Sequence, residues 1–219
     1  MCLVAACAAN APTQRTSEQG AADLAGKTFG VPGEVIEYQV ALRGMTVARV
    51  VVSVGQPGWT DGKRAIVMRA GGATAGLIDM IGQVRWELTT MLDLDTGAAL
   101  RALEETSITV GGKTEHDRET RAKRTNVHVA VGMLRAWRSQ PGQPAVMNID
   151  IADGYVDVVL WDAGRELHEG RPSIRYDGLA VDRKYRFSMW IADDTSRVPL
   201  ALSTASKWGR ITLDLVSYD

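Results

Sequence analysis

The chain has 219 residues and a formal net charge of −1; 45% of its residues are hydrophobic and 23% charged. That composition can fill one sizeable core and excludes a largely disordered chain. The near-zero charge supplies no global field for nucleic acid or an anionic bilayer, and no run approaches the roughly 18 apolar residues of a transmembrane helix.

Both cysteines lie in the first seven residues, and the second ends the string Leu3-Val4-Ala5-Ala6-Cys7. This string resembles a lipobox, in which small residues precede a cysteine that is acylated and becomes the mature N-terminus. The six residues before Cys7 carry no charge, so a working export signal requires a basic, longer apolar segment upstream of Met1. Residues 8–25 (AANAPTQRTSEQGAADLA) are small and polar without apolar periodicity, the composition of a tether. The expected organisation is a signal remnant at 1–7 with Cys7 lipidated, a tether at 8–25, and one domain over 26–219. Nothing acidic follows Cys7 directly, so the expected location is the cell envelope, facing the periplasm and anchored in the outer membrane.

From Glu34 onward the pattern is strand after strand. Ile36, Tyr38, Val40 and Leu42 alternate with polar or small neighbours, Arg43-Gly44 turns the chain, and Ala48, Val50, Val52 and Val54 form a second apolar face. Arg64–Ala70 resumes after Asp61-Gly62, and Val84, Trp86, Leu88, Thr90 and Leu92 alternate again. Gly71 to Gly82 is glycine-rich and apolar and reads as a short helix or loop, with no lysine-serine or lysine-threonine pair to make it a phosphate loop. Leu100–Val110 is the next strand. Lys113 to Arg124 carries five basic and three acidic residues, which suits a solvated edge strand or loop. Asn126 is a good N-cap for a helix whose Ala130, Met133, Leu134 and Trp137 recur at helical spacing. Further strands are read at Val146–Ile151, Tyr155–Trp161, Tyr185–Ile191, Val198–Thr204 and Ile211–Val216, with turns at Asp153-Gly154, Asp162-Ala163-Gly164 and Asp193-Asp194. The expectation is an all-β domain of ten to twelve strands, mainly antiparallel, forming a curved sheet or partly closed barrel with one short amphipathic helix.

Three blocks of residues also resemble a known family. They are Gly33 to Tyr38 with the hairpin to Val54; Ala73 to Leu77 with Trp86-Glu87-Leu88 and the Asp93–Gly97 turn; and Tyr185 to Ile191 with Asp193-Asp194, Arg197-Val198-Pro199-Leu200 and Gly209-Arg210-Ile211. Together they resemble the envelope proteins grouped as domain of unknown function 3108. The resemblance implies a curved, mostly antiparallel, commonly exported β domain, often a lipoprotein, and implies no activity.

Chemistry-bearing residues are sparse. There is no Gly-x-Ser-x-Gly elbow, and no cysteine lies beyond Cys7. His116, His128 and His168 fall at no recognised zinc spacing and are expected on the surface. No catalytic set, metal or cofactor is expected, and the chain is read as a non-enzyme. Six tryptophans and eight methionines are a generous apolar supply. If the sheet curls incompletely, Trp86, Met91, Trp161, Met189 and Trp190 are candidates to line a groove for a hydrophobic ligand such as lipid; otherwise they fill a core. Trp190 stands among Arg186 and Ser188 and is the residue expected to be exposed. The leading reading is a non-catalytic envelope lipoprotein that binds or carries a hydrophobic ligand. The alternative is a structural adaptor docking another envelope protein through a sheet edge.

Overall fold

The computed structural model describes residues 30–80, 82–122, 125–142, 144–151, 154–181 and 185–219. Cys7 and the tether lie outside the described residues. Thirteen strands appear: β1 (Val35–Leu42), β2 (Met45–Val54), β3 (Gly58–Thr60), β4 (Lys63–Thr74), β5 (Gln83–Asp93), β6 (Ala99–Val110), β7 (Lys113–Ala122), β8 (Pro144–Ile151), β9 (Gly154–His168), β10 (Arg171–Ala180), β11 (Tyr185–Ala192), β12 (Pro199–Ser206) and β13 (Gly209–Tyr218). One α-helix, α1 (Val127–Ala136), separates β7 from β8.

The strands form a single antiparallel sheet in the order β7-β6-β5-β4-β2-β1-β13-β12-β11-β10-β9-β8, with β3 paired to β4. The chain therefore runs outward from β1 to one edge at β7, crosses through α1, and returns from the other edge at β8 to β13 beside β1. The sheet is curved and not closed. α1 lies against its inner face and joins the two halves. Val129 packs with Val54, Ile66, Met68 and Leu92 from one half. Ala130 and Leu134 pack with Val156, Val158, Leu160, Ile174 and Ile191 from the other. A half-barrel with a helix inside satisfies the sequence pattern, because every strand has one apolar face to bury.

Local chemistry fixes the helix. The Asn126 side-chain oxygen accepts from the backbone N–H groups of His128 and Val129 at 3.1 and 3.2 Å, closing the N-terminus as expected. At the C-terminus Arg197 donates to the carbonyls of Arg135 (2.6 Å) and Trp137 (3.0 Å). The Arg-x-Pro block thus serves as a helix cap contributed by a distant loop.

Three expectations need correction. Asp162-Ala163-Gly164 is not a turn, because β9 continues through it to His168 with a register shift opposite Arg175 and Tyr176. Asp162 turns its carboxylate inward instead, accepting from Ser139 Oγ at 2.5 Å and from Gly164 N–H at 2.8 Å. Gly71–Thr74 is the end of β4, and the short helix begins only at Gly76, where a 3-10 turn runs to Met80. The strand β10 was absent from the sequence reading, since Arg175, Asp177 and Gly178 break its apolar pattern. Gly178 is there because the Phe187 ring lies across it; an added Cβ would sit 2.2 Å from Phe187 Cζ. The edge strand at Lys113 and the helix agree with the sequence reading.

Candidate ligand-binding site

Register decides which side chains share the inner face. The direct cross-strand pairs Ala48–Val40, Val40–Leu213, Leu213–Leu202, Leu202–Met189 and Met189–Tyr176 make one continuous row across β2, β1, β13, β12, β11 and β10. A parallel row runs Leu42–Ile211–Thr204–Phe187–Gly178. On the other wall Val50, Gly72, Trp86 and Thr106 are paired in sequence. Gly72 leaves room for Val50 and Trp86 to lean over its backbone, with Val50 Cγ2 and Trp86 Cε3 at 3.4 and 3.7 Å from where a Cβ would be.

This inner face has two different ends. Near the starts of β1 and β6 and the ends of β5 and β11, the helix covers it. Ile36, Val54, Ile66, Met68, Leu92, Leu160, Ile174 and Ile191 are all buried there. Toward the Arg43-Gly44, Gly111-Gly112 and Lys207-Trp208 turns α1 does not reach, and among the described residues the 3-10 turn Gly76–Met80 packs mainly against β2 and β5. Val40, Leu42, Ala48, Val50, Trp86, Phe187, Met189, Leu202, Ile211 and Leu213 are only half-buried. Val84 and Ile108, paired on the same face, are exposed at its mouth, and Val110 beyond them is 59% exposed. The open end is thus a trough of largely aliphatic and aromatic carbon from β2 to β5 and from β10 to β13, while register puts Glu104, Glu115, Asp117 and Glu119 on the same face of the β6–β7 wall. The Trp86 indole N–H is fixed to Glu104 Oε1 at 2.9 Å.

The plugged end carries the polar machinery, and its role is to hold the helix. Arg135 on α1 donates to both oxygens of Glu34 at 2.6 and 3.1 Å and to the Ser196 carbonyl at 2.8 Å. The pair is deeply buried, with 8% and 1% of the side chains exposed. The Tyr218 hydroxyl adds a bond to Glu34 at 3.2 Å. Tyr38 donates to the Pro199 carbonyl at 3.0 Å, and burial pushes its phenol well above the ordinary value. Arg197 reaches the Tyr176 hydroxyl at 3.1 Å, and Trp137 stacks on the Tyr176 ring at 5.3 Å. None of these groups faces the open trough from a free position, so the cluster reads as structural.

The five tryptophan and methionine candidates divide. Trp86 and Met189 lie on the inner face of the open end, on opposite walls. Met91 alternates with the buried Leu88, Thr90 and Leu92 and so sits on the outer face. Trp161, paired with Asp177, is 39% exposed on the outer face. Trp190 pairs with Arg175 and stacks on His168 at 4.6 Å, also outside. Trp161 and Trp190 instead border an outer depression of about 600 Å³ with Arg175, Asp177 and Ser188. The sequence reading missed Val50, Phe187, Leu202 and Leu213, which strict alternation along each strand would have selected.

The histidines also need correction. His116 is exposed, but His128 is buried behind Thr90, its Nδ1 2.8 Å from the Thr90 hydroxyl and its Nε2 without a partner. Burial lowers its pKa to about 4. Among the described residues no group of three His, Cys, Asp or Glu side chains is placed to hold a metal.

The architecture defines a class: an open antiparallel half-barrel with a helix in one end. No protein-family model matches the chain, and no curated protein matches it. Among solved structures it is similar to a β-barrel-like protein of domain of unknown function 1849 from Brucella abortus, at 12% identity over 87% of this chain and 98% of that one, with a TM-score of 0.56. Weaker likenesses are to a protein of the DUF1329 family from Desulfovibrio piger (11% identity, 92% and 90% covered, TM-score 0.36) and to the lipoprotein LppX of Mycobacterium tuberculosis (13% identity, 93% and 93% covered, TM-score 0.29). The first likeness shows the β-barrel-like fold and nothing about activity.

Proposed function

We propose that the chain is a non-catalytic envelope lipoprotein, anchored through Cys7, that binds or carries a hydrophobic ligand such as a lipid acyl chain against the apolar walls of the open trough. One observation carries this reading. The same inner face is sealed where α1 covers it and half-buried beyond α1, although outside the β6–β7 wall its side chains are largely apolar in both places. Leaving Trp86, Met189, Leu202 and Leu213 partly wet forgoes stabilisation worth about 25 cal/mol for each Å² left in water, and an apolar ligand would recover it. The LVAAC string supports the envelope assignment. Docking through the β7 edge is the less favoured alternative. Lys113, Glu115, Asp117, Arg118 and Glu119 give that edge alternating charge, which protects a strand against pairing.

Native mass spectrometry of the whole chain purified without detergent tests the proposal. A retained mass that releases lipid on denaturation is the expected result. A bare chain mass, unchanged after incubation with envelope lipid extract, overturns it.

A further inference from the structure

The two ends of the half-barrel differ in charge as well as in packing. At the plugged end the connections carry Asp61, Asp95, Glu169, Asp193 and Asp194, and several acids there meet cations of their own, as in Lys63–Asp93 at 3.4 Å and Arg165–Asp193 at 3.0 Å. At the open end the described connections and strand ends carry Arg43, Lys113, Arg186, Lys207 and Arg210, against the acids Asp79 and the buried Asp150. Among the described residues Lys113, Lys207 and Arg210 make no ion pair. The antiparallel pairing places these residues on one rim, since Leu42 pairs with Met45 and Ile211, Ser206 with Gly209, and Val110 with Lys113.

The same rim exposes apolar side chains beside those cations. Trp208 is 62% exposed in the β12–β13 turn, and Met45, Val110, Val181 and Tyr185 are exposed on neighbouring strand ends. The rim is also organised. Lys207 Nζ lies 4.3 Å from the Trp208 ring centroid, and Arg43 Nε donates to the Trp208 carbonyl, tying two turns together. Exposed aliphatic and aromatic side chains interleaved with unpaired cations match the chemistry of an anionic bilayer surface, whose headgroup layer takes indole and phenol rings and attracts lysine and arginine. The rim also opens directly into the trough of half-buried apolar carbon.

We propose that this rim, built on Trp208, Val110, Met45, Lys113, Lys207 and Arg210, docks on an anionic lipid bilayer so that the trough opens onto the membrane. The inference rests on the trough being a lipid site, but its test is separate. The full chain produced without acylation at Cys7 is mixed with vesicles of phosphatidylcholine alone or of phosphatidylcholine with phosphatidylglycerol, and partitioning is read by co-sedimentation. Binding is expected to the anionic vesicles only and to weaken as salt rises. Lys113→Glu with Lys207→Glu should weaken it at least about fivefold per site, and Trp208→Ser should weaken it further. Trp59→Ser, removing the most exposed tryptophan at the plugged end (76% exposed), should leave it unchanged. No partitioning to anionic vesicles, or equal losses from Trp59→Ser and the rim variants, overturns the proposal. Native mass spectra of the same variants report trough occupancy independently. Lost vesicle binding with lipid still retained therefore locates the change in the rim, while a trough empty in every variant refutes the ligand reading and leaves vesicle docking to be judged alone.

Discussion

The plugged and open ends of the inner face are made from the same strands and the same kinds of side chain, yet they end up in different states. At one end α1 supplies the second layer that a one-faced sheet needs, and Leu92, Tyr176 and Ile191 are completely buried. At the other end the strands continue past the helix, and among the described residues no second α-helix lies opposite them. The helix is ten residues long, spanning about 15 Å, while β9 alone has 15 residues and spans about 50 Å. The difference is therefore one of length. A short helix inside a long half-barrel leaves a remainder, and outside the β6–β7 wall that remainder is largely apolar.

The most severe way to break the comparison is to release the helix. Arg135→Ala leaves the Glu34 carboxylate buried without its guanidinium, which typically costs about 3–5 kcal/mol. Urea denaturation should show that loss, and a change below about 1 kcal/mol would mean that the helix is not held where we place it.

A paired substitution sharpens the contrast itself. Leu92→Ala opens a cavity in the sealed end and should cost about 2–5 kcal/mol, whereas Leu213→Ala in the open wall leaves no enclosed void and should cost about 1 kcal/mol. Equal losses in denaturant would show that the two ends are packed alike. Lipid added to the protein should raise the stability of the Leu92→Ala chain, because the trough is intact, by whatever its binding contributes.

His128 adds a pH dependence confined to the plugged end. Its folded-state pKa is about 4 against 6.5 for the free side chain, because burial disfavours the imidazolium. Below pH 6.5 the unfolded chain takes up a proton that the folded chain refuses until about pH 4. Stability therefore falls across that window, by up to about 3 kcal/mol, and is untouched above it. His128→Gln should flatten the stability profile between pH 6.5 and 4. The carboxylate of Asp194 acts lower. The Ser196 hydroxyl holds its pKa below the ordinary 3.8, so its contribution is present above that value and lost only as pH falls further. A slope between pH 6.5 and 4 that survives His128→Gln would assign it to another group.

Much of this contrast was legible as pattern and little of it as site. Alternation gave β1, β2 and β5, because each carries a period-two run such as Ile36-Tyr38-Val40. The Asn126 cap and the Ala130–Leu134 spacing gave the helix. β10 was hidden because its inner positions are Ile174, Tyr176 and Gly178, and the third has no side chain to read; the missing volume comes from Phe187 on the next strand. Burial of His128 was equally hidden, since its cover comes from Thr90 across the sheet. The groove candidates suffered from a different error. Size selected Met91, Trp161 and Trp190, while strand parity places each of them outside.

That error yields the finest test, with the smallest effect on folding. Trp86 and Met91 are five residues apart on β5 and project from opposite faces. Both are partly exposed, so replacing either by Ala should cost about 1 kcal/mol or somewhat more for the larger Trp86. Their effects on a ligand should diverge. Trp86→Ala strips an aromatic wall from the trough and frees Glu104 from its indole partner, so retained lipid should fall several-fold in the native mass spectrum. Met91→Ala touches only the outer face and should retain lipid as the parent chain does. Equal loss from both would mean that the ligand is held by overall stability rather than by one face of the sheet. Loss from Met91→Ala alone would move the site to the outer face of the β4–β5–β6 wall, where Met91 pairs with Val67 and Arg101.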